Sequence, residues 1–514
     1  MCFREKDKWI RFRRAFDIFY QLPTAIPTPE PAAMTLPYRQ LYIDGKWCDA
    51  ASGKRLAVVN PATEEAFAEV AFGNRDDCRR AIEAASKAMP AWMKLTAWDR
   101  AKLLKRVAEL IRERADKFAR DMTMEQGKPV AEAKMEVMQS ADTFEWFAEE
   151  AKRAYGQVIP NSVPGKRHLT IKHPVGVVGT IGPWNFPMSL QCRKIAPALA
   201  VGCTVVAKPA SQTPLSVVNI FDCLIDAGIP AGVANLVIGP SSEIGDEIMT
   251  NDLVKKVSFT GSTEVGKHLM RQAAGTVKRL SLELGGHAPF IVFPDADPEV
   301  VAKAAVMGKF RNNGQVCISP SRFFVHADIH KRFTEVAVAE AKTLKLGNGL
   351  DEGTQIGPMF EKKAMENTQG LIADATGKGA KLLSGGKRSE KFAKGYFFEP
   401  TILGGLSADA RVLTEEPFAP VMPILDFSKI EDVIAAANST KYGLAAYVFT
   451  NDITVAFKMA EGLEAGMIGI NDPVPVGVQC PFGGMKESGL GRELSHEGLE
   501  AYLETKHVSF KLRD

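Results

Sequence analysis

The chain has 514 residues, 46% hydrophobic and 24% charged, the composition of a folded enzyme with core enough for several domains rather than a disordered chain. Its net charge of +3, spread through mixed acidic and basic runs, gives no footprint for nucleic acid or an anionic membrane and leaves small-molecule chemistry as the expectation. Eight cysteines scattered without a CxxC pair or neighbouring histidines predict reduced thiols and no metal site, and no apolar run reaches the roughly 18 to 20 residues of a membrane span, which predicts a soluble, cytoplasmic protein.

Residues 1–33 are basic at Arg4, Lys6, Lys8, Arg11, Arg13 and Arg14 and then proline-rich from Pro23 to Pro31. A mitochondrial presequence is basic but poor in acid, and Glu5, Asp7, Asp17 and the scarcity of serine argue against one; the alternative is a start upstream of a working Met34. Either reading predicts a disordered leader. From Ala97 to Phe118 the apolar spacing of Leu103, Val107, Leu110 and Ile111 predicts a helix with one buried stripe. Val175 to Ile181 predicts a strand, followed by a Pro-Trp-Asn-Phe-Pro loop and a helix from Leu190 to Leu199. Thr204 to Ala207 repeats the strand signal, and Pro214 and Gly228 bracket a helix, as proline at the start and glycine past the end should. Leu236 to Ile238 and Val257 to Thr260 add two more short strands, each followed by a glycine and a helical segment. The alternation predicts an α/β fold with a parallel, doubly wound sheet, whose ligand cleft lies past the carboxyl ends of the strands, near Asn185, Lys208, Gly239 and Gly261. Phe290 to Gly469 alternates in the same way and predicts a second α/β domain. Ala501 to Leu512 alternates enough for a strand but has no hairpin partner beside it, which suggests an intersubunit strand.

Gly314-Gln315-Val316-Cys317 follows a helical run ending near Phe310 and holds the strongest nucleophile candidate. A lone cysteine is more often inert core. Thirty-four residues earlier, Leu282-Glu283-Leu284-Gly285-Gly286 puts a carboxylate at an apolar strand end, where glycines let the backbone approach another group closely. These two motifs and Pro183-Trp184-Asn185-Phe186-Pro187 resemble the signatures of the aldehyde dehydrogenase superfamily. The resemblance runs from about Leu41 to Leu512 and includes Lys208-Pro209-Ala210, Phe259-Thr260-Gly261-Ser262, Glu415-Glu416-Pro417-Phe418 and Pro481-Phe482-Gly483-Gly484, in the family's order.

The resemblance implies a Rossmann-like NAD(P)-binding domain at 34–150 and 172–285, a catalytic domain at 286–485, a small β oligomerisation element at 151–171 and 486–514, and homodimers or homotetramers. It makes Cys317 the thiolate that attacks an aldehyde, Asn185 an oxyanion donor and Glu283 the base that hydrolyses the thioester. The coenzyme-A-using branch typically lacks that glutamate, so Glu283 argues for hydrolysis. Lys208 matches the adenosine-ribose contact. Three residues on, Ser211 stands where a glutamate would repel a 2′-phosphate, which favours NADP modestly while leaving NAD open. Gly261 and Ser262 match the pyrophosphate contact at a helix N-terminus, Glu415 and Phe418 the nicotinamide-ribose clamp, and Ile181, Pro183, Trp184 and Leu284 the rest of the cofactor site. Gly261 to Lys267 also has the spacing of a P-loop, but His268 replaces the Ser or Thr that binds Mg²⁺ there.

Within the superfamily the chain most resembles the succinate-semialdehyde dehydrogenase group. Arg193, and Arg311 six residues before Cys317, match that group's contacts to the substrate carboxylate, for which a planar guanidinium is suited. The loop Pro475 to Cys480 lacks the serine that often makes a third contact, which leaves 2-oxoglutarate semialdehyde or a non-carboxylated aldehyde open as substrate. Ser319 replaces a second cysteine found in some members, so no local disulfide switch is expected.

Overall fold

The computed structural model describes residues 36–513, so the expected leader at 1–33 lies outside the described residues. In the larger sheet five parallel strands lie side by side in the order Arg279–Glu283, Val254–Thr260, Val177–Ile181, Thr204–Lys208 and Ala234–Leu236. Antiparallel edges close it, with Gly489–Leu490 on one side and Leu41–Ile43 and Lys46–Cys48 on the other. Buried on both faces, these strands read as continuous apolar runs rather than alternating ones. The chain starts at Val177–Ile181, winds outward through Thr204–Lys208 to Ala234–Leu236, then returns to Val254–Thr260 on the other side. The order therefore reverses between Ile181 and Thr260, which is where such a sheet opens a crevice.

A second sheet, of seven strands, has Ala288–Val292 and Pro320–His326 near its centre, flanked by Val421–Phe427 and Ala445–Phe449. All its pairings are parallel except that of the edge strand Lys381–Ser384. The predicted helix over 97–118 is two helices, Ala97–Glu113 and Ala115–Gln126, broken at Arg114. Its stripe is buried at Val107, Leu110 and Ile111 and half-buried at Leu103. Pro214 is the cap before the helix Leu215–Asp226 rather than its first residue, and the strand expected at 236–238 is Ala234–Leu236.

The C-terminal strand does not lack a partner. Leu503–Lys511 pairs antiparallel along its whole length with Lys166–Pro174 of the same chain, which also pairs with Val158–Ile159. The sequence has no hairpin signal because the partner is more than three hundred residues upstream.

Candidate active site

Cys317 sits on a loop built around strain. After the helix Pro298–Phe310 the backbone enters the left-handed region at Asn312 (φ 45°), Asn313 (φ 57°) and Gly314 (φ 72°) before reaching the thiol. Gly314 has no room for a side chain, since a Cβ would stand 2.3 Å from the Ala419 carbonyl oxygen. The strand Arg279–Glu283 ends beside this loop, and a Cβ on Gly286 would stand 2.4 Å from the Cys317 carbonyl oxygen. The close approach anticipated for the Leu-Gly-Gly motif is to the Cys317 backbone.

Asn185 is buried at the head of the helix Ser189–Val201, and its Nδ2 donates to the Gln315 carbonyl at 3.0 Å, two residues from Cys317. Glu283 is buried with neither carboxylate oxygen hydrogen-bonded. Burial holds it well above the usual carboxylate range; Glu493 adds to this, and Lys194, Arg193 and Arg492 oppose it. Burial likewise pushes the Cys317 thiol up to about 12; Arg193 works against this shift while Glu416 and Glu283 add to it. Cys317, Asn185 and Glu283, distant in sequence, thus converge on one site. Sequence reasoning missed the pair behind Glu283: Lys194 bridges Glu493 and donates to Thr260 Oγ1 at 2.6 Å. Lys194 directly follows Arg193, but nothing in the sequence marks Glu493.

Both arginines are near the thiol's loops and short of partners. Arg193 is buried over the Phe482 ring, 4.3 Å from its centroid, and its Nε and Nη1 have no hydrogen-bond partner; Arg311 lies 5.4 Å from the centre of the Phe186 ring with its Nε equally unpartnered. Buried guanidinium donors are costly to leave unmade, and a planar anion would satisfy them.

At the crevice, Ile181 pairs in register with Lys208, whose buried ammonium donates to Ser241 Oγ at 2.7 Å. Burial lowers that lysine to about 8. Ser211 Oγ donates to the Gly239 carbonyl at 3.0 Å, and Ser262 caps the helix Thr263–Ala273. Gly261 donates its N–H to the Glu283 carbonyl at 3.0 Å, tying this helix start to Glu283. Leu284 lies over Gly266, where a Cβ would meet its Cδ2 at 2.5 Å. Beside Pro183, Trp184 stacks on Phe360 at 4.1 Å and meets Phe418 edge-on at 5.8 Å, with Phe418 itself at φ 43°. The Lys208 ammonium, the Ser262 hydroxyl and the first N–H groups of the helix Thr263–Ala273 form a donor set that fits the ribose and pyrophosphate of a dinucleotide.

One residue expected at the cofactor is held by a surface ion pair. Glu415, read as the ribose clamp, turns outward to Arg411, accepting bonds of 2.8 and 2.9 Å from the guanidinium one helical turn earlier. Its neighbour Glu416 is the acid turned inward: it accepts the Gly286 N–H at 3.2 Å, and burial raises it to about 7.

Residues 47–508 match the model of the aldehyde dehydrogenase family. The chain belongs to that family. Among curated aldehyde dehydrogenases it is 50% identical to a glutarate-semialdehyde dehydrogenase of Pseudomonas putida, over 91% of this chain and 97% of that one. It is 47% identical to an NADP(+) succinate-semialdehyde dehydrogenase of Escherichia coli, over 92% and 98% of the two chains. The aldehyde dehydrogenase fold is shared with the crystal structure of an NADP-dependent enzyme of E. coli, with a TM-score of 0.91 at 47% identity over 92% of this chain and 98% of that one.

Proposed function

We propose that this aldehyde dehydrogenase oxidises a carboxylated semialdehyde, such as succinic semialdehyde, to the dicarboxylate through a covalent bond to Cys317, using NADP or NAD. The Cys317 thiol gives up its proton to solvent, and the thiolate bonds to the aldehyde carbon as the carbonyl π pair moves onto oxygen, giving a thiohemiacetal oxyanion. The side-chain amide of Asn185 and the Cys317 backbone N–H hold that charge. Bound nicotinamide supplies the acceptor for the hydride that leaves this carbon. The resulting thioester on Cys317 is hydrolysed by water that gives a proton to Glu283, and the C–S bond breaks to release the acid and the thiolate.

Glu283 suits this role because its oxygens have no protein partner to displace. Lys208, Ser211 and Ser262 would hold the adenosine half of the cofactor, and Glu416 with Phe418 the nicotinamide ribose. At Ser211 no carboxylate opposes a 2′-phosphate, which supports NADP. The β element formed by residues 158–174 and 503–511 supports assembly into a homodimer or homotetramer.

The substrate reading is carried by the unpartnered guanidinium donors of Arg193 and Arg311. It is tested by following reduction of NADP and NAD with succinic semialdehyde, glutaric semialdehyde, propanal and benzaldehyde in wild type and Arg311→Ala. A semialdehyde is expected to be the best substrate, and the variant to lose it selectively by about 2 kcal/mol of transition-state stabilisation. Preference for propanal or benzaldehyde, with Arg311→Ala unchanged, would overturn it.

A further inference from the structure

Asn185 follows a strand of the larger sheet and Cys317 precedes a strand of the second, yet the oxyanion position needs them held to within a fraction of an ångström of each other. One segment touches both loops. Between the helices Ala115–Gln126 and Val130–Glu150 the chain turns at Gly127 and then presents Lys128, Glu132 and Glu136 at intervals of four. Lys128 donates through Nζ to the Asn185 carbonyl at 2.7 Å and to Glu136 Oε2 at 2.5 Å, with its ammonium 3.9 Å from the Phe186 ring centre. Glu136 Oε1 accepts the backbone N–H groups of Met188 and Ser189 at 3.0 and 3.1 Å, gripping the far end of the same loop. Glu132 accepts the Asn312 N–H at 2.9 Å, at the strained start of the nucleophile loop. Gln126 closes the frame: its Nε2 donates to Asn312 Oδ1 at 3.0 Å, while Asn312 Nδ2 donates to the Asn185 carbonyl at 3.1 Å.

We infer that Lys128 and Glu136 are positioning residues, a buried ion pair whose role is to set the Asn185 amide against Cys317. Both side chains are completely buried. A pair so buried recovers little net stability from its own attraction, and well-packed apolar residues would do as well or better. This pair makes three bonds to the backbone of the Asn185 loop, where apolar side chains would make none, and Glu132 on the same helix makes one to the backbone of the Cys317 loop. The inference rests on Asn185 acting as the oxyanion donor, as proposed above.

The test is single-turnover kinetics on the full-length enzyme, with succinic semialdehyde and saturating NADP, for Lys128→Met, the charge-neutral double variant Lys128→Met/Glu136→Gln, and each in an Asn185→Ala background. The expected result is a loss of about 100-fold in the acylation rate, the scale of an ångström of misplacement. The Kd for NADP should stay unchanged, and no further loss should appear once Asn185 is alanine. A multiplying loss in the Asn185→Ala background, or an unchanged rate, overturns the inference. So does a double variant that fails to fold, which would make the pair a stability element. Asn185→Ala with an undiminished rate would instead refute the oxyanion reading, independently of Lys128.

Discussion

Glu283 and Cys317 are both buried groups held in their neutral forms, and this fixes the sign of the pH dependence. A base whose pKa is raised works only as pH climbs through that pKa, so with Glu283 as the proposed base turnover is expected to rise with pH above the ordinary carboxylate range. Glu283→Gln should flatten the rise and leave an acyl-enzyme, seen as a burst of reduced cofactor followed by slow turnover and as a mass increase on Cys317. A rise that persisted in the variant would point to the thiol instead. Lys208 has the opposite sign: its charge is present below about 8 and lost above it. If it faces a 2′-phosphate, the KM for NADP should climb between pH 8 and 10 while that for NAD moves less; parallel curves would remove Lys208 from the 2′ site. At this scale Cys317, Glu283 and Asn185 were legible because each stands in a motif with glycine or proline neighbours. Glu415 and Glu416 are adjacent acids in one motif, and only the turn of the short helix Arg411–Thr414 puts one of them in contact with Arg411 and the other inside. Glu415→Ala is therefore expected to leave the cofactor KM within about twofold, as surface changes do, whereas Glu416→Gln should raise it; equal effects would restore the reading made from the motif.

Among elements, the contact between the Glu283 strand and the Cys317 loop is the most sensitive to volume. Gly286→Ala places a methyl group against a backbone oxygen that no rotamer change can move. The expected cost is about 1–3 kcal/mol of stability, read as a lower urea midpoint, together with a loss of acylation rate larger than the stability change alone would give. A variant as active and stable as wild type would mean that the loop yields freely. Four strands of the larger sheet were predictable to within a few residues because parallel strands buried on both faces are short apolar runs set off by glycine and proline, whereas the second sheet was legible only as an alternation. Two things were not. The break at Arg114 falls inside an unbroken apolar stripe, and the pairing of Leu503–Lys511 with Lys166–Pro174 depends on a partner that local pattern cannot name.

For the whole molecule, that pairing sets Leu169 opposite Val508 and leaves Val158, Ile171 and Phe510 exposed on the same face. Burying such side chains against a second copy would contribute roughly 1.5–3 kcal/mol each. Val158→Asp together with Phe510→Asp is accordingly expected to yield smaller assemblies by light scattering, and an unchanged mass would place the subunit contact elsewhere. The sheet edge Gly489–Leu490 lies against Leu282 and Glu283, and Glu493 just beyond it supplies the acid paired with Lys194. At about 5–20 residues per second of synthesis, the on the order of 200 residues separating Glu283 from that edge take roughly 10 to 40 seconds to emerge. The strands of the larger sheet through Arg279–Glu283 can therefore be out of the ribosome, with Glu283 uncovered, well before the strand that borders it exists. A chain interrupted short of Gly489 would carry every motif quoted above and still lack the strand beside Glu283, so dehydrogenase activity is expected only once translation has run nearly to its end.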